Sequence, residues 1–245
     1  MREDRCSPTT LRVFAATLSC TLLACASQSQ PNLPTLLQKF EAETFFWRQF
    51  DIAKEIAAAN NREVLPRLQP WLSHADRRSR GNAAYIFGRL GDRRGFDVIV
   101  AILNDYSSHR QVESISSNGE PWVKGQIRLD RYYAAHLLGD LKDARAIPIL
   151  VPLLADPDVS DIVPWSLGQI GHPSAIPPLI ATLKNPNPNL RVLATYALTQ
   201  LNALEALPSL RLLLDDKARC NFDKLETVAE AAQAAIDKLQ AKPAR

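Results

Sequence analysis

Cysteine is almost missing from the body of this 245-residue chain. Cys6, Cys20 and Cys25 crowd the first 25 residues, and Cys220 stands alone beyond them. A lone thiol closes no internal disulfide, so the fold must rest on packing. Zinc-type Cys/His spacing, a glycine-rich phosphate loop and a nucleophile elbow are also missing. The histidines, His74, His109, His136 and His172, fall one to a region with none at ligand spacing. No catalytic residue, metal ligand or cofactor is therefore assigned, and the expectation is a chain that is not an enzyme. The net charge of only +3 lacks the concentrated basic face that nucleic acid requires. No apolar run reaches the ~20 residues that cross a bilayer as a helix. Glycine is scarce, at nine residues, while proline reaches seventeen.

The N-terminus has its own character. A charged lead, "MREDRCSPTTLR", precedes the uncharged "VFAATLSCTLLA" and then "CASQSQPNLP". That is the order of a secretory signal over residues 1–24. "LLAC", ending at Cys25, resembles a bacterial lipobox, which implies lipidation of Cys25. "ACA" at Ala24–Ala26 suits ordinary cleavage after Ala26, and a buried N-terminal helix in a cytoplasmic protein is the remaining reading. The expected address is the cell envelope, periplasm or outer membrane, held by a lipid anchor only. Residues 25–40 read as a polar tether.

Four later segments align without forcing. They are "AYIFGRLGDRRGFDVIVAILND" from Ala84, "AHLLGDLKDARAIPILVPLLAD" from Ala135, "PWSLGQIGHPSAIPPLIATLKN" from Pro164 and "TYALTQLNALEALPSLRLLLDD" from Thr195. Gly88, Gly139, Gly168 and Thr199 fall in one column, 51, 29 and 31 residues apart. An earlier unit carries "VLPRLQPWL". A period near thirty means stacked helix pairs that bury their apolar faces only against neighbours. Ala83, Phe87 and Leu90 share one helical face, as do Ala134, Leu138 and Leu141. Pro66, Pro148, Pro177 and Pro208 open the second helices, where a missing N–H costs nothing, and this accounts for much of the proline. An arginine column, Arg80, Arg131 and Arg191, with Ser160 in the fourth unit, is expected to tie one repeat's turn to the next, since acids such as Asp156 precede it.

The pattern resembles the HEAT-like repeats of the phycobilisome-lyase type, over roughly residues 44–239. The fold expected is an all-α, right-handed α-solenoid of about five helix pairs. Repeats 1–2 would cover 41–105 and repeats 3–5 128–214. Residues 106–127 are an insertion between them, and 215–245 a capping helix. Asn118-Gly119 signals a two-residue hairpin turn, and Val123, Gly125 and Ile127 alternate, so the insertion is expected to be a β-hairpin or ordered loop anchored by Trp122. The resemblance also implies lyases that attach bilin chromophores to proteins, in which His and acidic residues assist thioether formation.

Two surfaces are candidates for partner binding. Tyr85, His136, Trp165 and Tyr196 stand three residues before the glycine column. Tyr85 lies about 200° around the helix from the core-facing Phe87, so the column is expected to point outward. Such rings would stack on a glycan or a proline-rich peptide. Val98 and Ile149 belong to an apolar strip on the second helices, which with Trp122 would form a docking groove. The leading expectation is a non-enzymatic protein–protein interaction scaffold or adaptor, binding an envelope protein or glycan. The alternatives are a chromophore lyase-like or other enzyme accessory protein, and a structural spacer.

Overall fold

The computed structural model describes residues 32–107, 119–221 and 227–241. Helix α1 (Leu33–Ala42) occupies the second half of the stretch expected to be a tether. Leu33, Leu36, Leu37 and Phe40 fall at helical spacing behind Pro34 in the first turn, and the last three are buried. That apolar stripe is reason enough for residues 33–40 to fold onto the body. Cys25 lies outside the described residues, as do the rest of the N-terminal segment and residues 108–118; nothing is described of the Trp122 side chain.

Five helix pairs follow. The first helices are α2 (Phe46–Ala58), α4 (Arg77–Arg89), α6 (Gly119–Leu141), α8 (Val163–Ile170) and α10 (Pro188–Gln200). Their partners are α3 (Leu65–Leu68), α5 (Arg93–Leu103), α7 (Ile147–Leu150), α9 (Ile176–Thr182) and α11 (Leu207–Arg211). Each first helix packs on the next along the stack, and α12 (Val228–Ala241) closes it against α10 and α11. One continuous apolar core runs from Leu36 to Leu239, which makes the chain an α-solenoid. Thr227 starts α12 with a capping box: its hydroxyl accepts the Glu230 N–H, and the Glu230 carboxylate accepts the Thr227 N–H at 2.7 Å.

Proline shapes the second helices beyond their first turn. α3 and α7 last four residues each and continue as 3-10 turns, Gln69–Ser73 and Val151–Ala155. Pro70 and Pro152 cannot donate to the carbonyl four residues back, so the tighter winding takes over there. α5 contains no proline and runs unbroken for 11 residues.

Small residues set the spacing between neighbours. A Cβ on Gly139 would lie 2.8 Å from Ser166 Cα, and one on Gly95 only 2.2 Å from the Ala84 carbonyl oxygen. α6 therefore meets α8, and α5 meets α4, at backbone contact.

Two expectations are corrected by this architecture. The arm Val123–Ile127 is not a strand; it belongs to α6, which begins at Gly119 and runs 23 residues. Val123 and Ile127 are also i, i+4, and Pro121 sits in the first turn, so the helical period wins over the alternation. The arginine column ties a repeat to its predecessor through backbone carbonyls rather than through a preceding acid. Arg131 Nε donates to Leu103 O at 2.9 Å, and Arg191 Nη1 to Asn185 O at 2.7 Å. Its carboxylates come from the same repeat: Asp156 lies 2.6 Å from Arg131, and Asp216 2.8 Å from Arg191.

Candidate functional site

Close stacking of α2, α4, α6 and α8 gathers rings from four helices onto one face. His136 lies flat against Trp165, centroids 4.4 Å apart and planes 15° apart. Trp47 approaches His136 edge-on at 5.5 Å, and Phe50 does so at 5.9 Å. Phe50 also covers Tyr85 at 5.0 Å.

The predicted column is thus only partly a ladder of outward rings. His136 and Trp165 are half-buried and in contact, and Tyr196 is 45% exposed. Tyr85 is buried, against expectation. Its direction on α4 considered alone is outward, but α2 stands close enough for Phe50 to shield it. Trp47 and Phe50 were missed because the first unit has no glycine with which to align it. On the second-helix strip, Val98 and Ile149 are half-buried and pack on the core, while Ala101 and Pro152 are exposed.

A buried polar network pins the ring cluster. The Tyr133 hydroxyl donates to Asn82 Oδ1. Asn82 Nδ2 donates to Phe46 O and to Gln49 Oε1, each at 2.9 Å. Gln49 Nε2 donates in turn to Phe40 O at 3.1 Å. The Tyr133 ring meets Trp47 at 5.0 Å and Phe46 at 5.1 Å, so three helices are held in register beneath the site. Burial pushes the Tyr133 phenol well up, which keeps it a neutral donor.

The titratable groups of the face are His136 and Asp140, i and i+4 on α6, with Nδ1 and Oδ2 3.5 Å apart. That is too long for a good hydrogen bond, and Nδ1 has no other partner. Burial lowers the His136 pKa and raises that of Asp140; each acts on the other in the opposite sense. Lys54 on α2 bears on both, and Arg89 and Lys142 on Asp140. An imidazole and a carboxyl whose pKa values burial moves toward each other, placed under aromatic rings, are equipped for proton transfer at this face. Asp140 had stood in the sequence as one member of a polar column; its i, i+4 relation to His136 was the available signal. No cluster of metal-ligating side chains occurs among the described residues.

Residues 159–220 match a family model described as HEAT repeats, and residues 130–156 one described as PBS lyase HEAT-like repeat. The chain carries HEAT repeats. The lyase-type repeat contains both His136 and Asp140. Over 97 residues the chain is 38% identical to phycocyanobilin lyase subunit alpha of Synechococcus elongatus, which is 35% of this chain and 36% of that one. The match thus spans about a third of the curated relative. Among solved structures, an engineered protein is similar at 18% identity and a TM-score of 0.40, covering 85% of this HEAT-repeat chain and 96% of its own. Human deoxyhypusine hydroxylase in complex with glycerol is similar at 17% identity and a TM-score of 0.39, with 86% and 85% covered. The likeness to a lyase subunit overturns the expectation of a chain that is not an enzyme and points to an enzyme-related role.

Proposed function

We propose that the chain is a lyase-like protein, or an accessory subunit of one, that holds an open-chain tetrapyrrole for attachment to a protein thiol. One observation carries this reading: the lyase-type repeat is the one that supplies His136 and Asp140 to the aromatic face. Thioether formation adds a sulfur across a carbon–carbon double bond. One proton leaves sulfur and one arrives at carbon. His136, neutral and shielded from water, takes or gives that proton, and Asp140 steadies its charged form. Trp165 and Trp47 offer planar surface to the conjugated ligand, and Lys54 and Arg89 offer charge to its carboxylates.

The test is a titration of the purified chain with phycocyanobilin, followed by tryptophan quenching, then transfer assays with an acceptor protein. Binding by the wild type, weakened in Trp165→Ala, is the expected result. His136→Gln should bind but fail to support transfer. No binding and no effect on transfer would reject the reading.

A protein-interaction scaffold is the second reading. Leu212 (78% exposed), Tyr196 (45%) and Leu204 (39%) favour it by offering apolar surface near the C-terminal end of the stack. Export and lipidation at Cys25 are proposed separately, on the order of the N-terminal segment alone; the mature mass decides them.

A further inference from the structure

The repeats define what their arginine column requires. Arg131 has Asp156, and Arg191 has Asp216, at the end of the second helix in the same repeat. The acid column is Asp105, Asp156, Asn185 and Asp216, spaced as the glycine column is. In the fourth repeat both charges are gone together, with Ser160 and Asn185 in their places. Arginine and acid therefore come and go as a pair.

The second repeat breaks the rule. It has both Arg80 and Asp105, but Asp105 is taken by Arg77 at 2.7 Å and bonded by Ser107. Arg80 keeps only the carbonyl of His74, at 2.8 Å, and no carboxylate of a described residue comes within ion-pair distance. Burial and the charge of Arg77 bear against its half-buried guanidinium, and Asp105, Asp76 and Asp130 favour it only from beyond ion-pair distance.

Arg80 sits in an open groove of about 470 Å3 between the Gln69–Ser73 turn and α5. Leu72, Val98 and Ala101 supply apolar wall, and Ser73 and Asn104 supply hydrogen-bonding groups. Val98 is the residue that the sequence singled out on this strip.

We propose that this groove docks an acidic segment of a partner polypeptide. One carboxylate pairs with Arg80 as Asp156 pairs with Arg131, and an adjacent apolar side chain rests on Leu72, Val98 and Ala101. A small free carboxylate fits less well, because an open groove leaves most of such a ligand in water, whereas small-molecule sites enclose theirs. Asp105 in the wall is held by Arg77, and its charge opposes any acid that enters, so the groove has room for one carboxylate at most. The site is separate from the aromatic face and does not rest on the lyase reading.

The experiment uses the full chain labelled with nitrogen-15 and follows the Arg80 side-chain Nε–H signal, assigned by its loss in Arg80→Gln. The probes are a blocked Leu-Asp-Leu tripeptide, its Leu-Asn-Leu counterpart and sodium hexanoate. A saturable shift with the aspartate peptide is expected, with binding at least about tenfold weaker for the asparagine peptide. Arg80→Lys should retain helical circular dichroism and part of the affinity, which separates lost charge from lost fold. Three results would overturn the proposal: no saturable shift up to millimolar peptide, equal binding of both peptides, or hexanoate binding as tightly as the aspartate peptide.

Discussion

His136 and Trp165 belong to successive repeats, yet their rings stack at 4.4 Å with only 15° between planes. Neither helix makes that pair alone. α6 and α8 must approach to backbone contact, and Gly139 permits it. Local pattern thereby becomes a site only after repeats are stacked.

Gly139→Ala tests that dependence. The new methyl would meet Ser166 Cα at 2.8 Å and the Trp165 ring at 3.1 Å, so the helices must separate. A loss of about 1–3 kcal/mol is expected by urea denaturation, typical of overpacking. Phycocyanobilin affinity should fall with it, since the His136–Trp165 stack opens.

Acid should act through His136. Its pKa is lowered in the fold by burial, so the unfolded chain binds the proton more readily. The stability linked to this group is complete above the unfolded value of about 6.5 and is lost as pH falls through the folded one. His136→Gln should flatten that part of the stability–pH curve, by up to about 1.4 kcal/mol per pH unit. Asp140 has the opposite sign, because its raised pKa favours the protonated form in the fold. Asp140→Asn should therefore gain stability at pH above that raised value, where ionising the partly buried carboxyl destabilises the fold. An unchanged pH profile in both variants would sink the coupled-pair description.

Much of this was legible beforehand. The helix pairs, the prolines at second-helix starts and the placing of His136 and Trp165 in one column follow from spacing, because a solenoid repeats its local rules. Three things were not legible. The 119–127 segment alternates like a strand and yet is helical, since Val123 and Ile127 satisfy both periods. Tyr85 is buried by Phe50, a contact between helices that no single helix wheel contains. Asp105 sits in the right column but pairs with the wrong arginine, which depends on side-chain reach rather than on register.

The network under the site has its own signature. Asn82 is fully buried and serves Tyr133, Phe46 and Gln49 at once. Asn82→Ala leaves the Tyr133 hydroxyl and Gln49 Oε1 without their partner, so about 2–3 kcal/mol should be lost in urea unfolding. Tyr133→Phe removes one bond and should cost less, about 1 kcal/mol. Equal costs would mean that the network does not act as a unit.

The last prediction concerns the arginine column as a stabilising device. Arg131 is 1% exposed and its carboxylate partner, Asp156, 20%. Asp156→Asn leaves a buried guanidinium facing an amide, and removal of one partner from a buried pair costs about 3 kcal/mol, less here for the partial exposure of the acid. In the fourth repeat Ser160 and Asn185 already lack both charges, so the same position there carries no such debt. Replacing Ser160 by Arg alone should destabilise by burying a lone cation, and adding Asn185→Asp should recover part of the loss. A double-mutant cycle by urea denaturation measures the coupling directly. A coupling near zero would mean that the paired appearance and loss of arginine and acid along this chain has no energetic basis, and the argument from Arg80 to an external carboxylate would lose its footing.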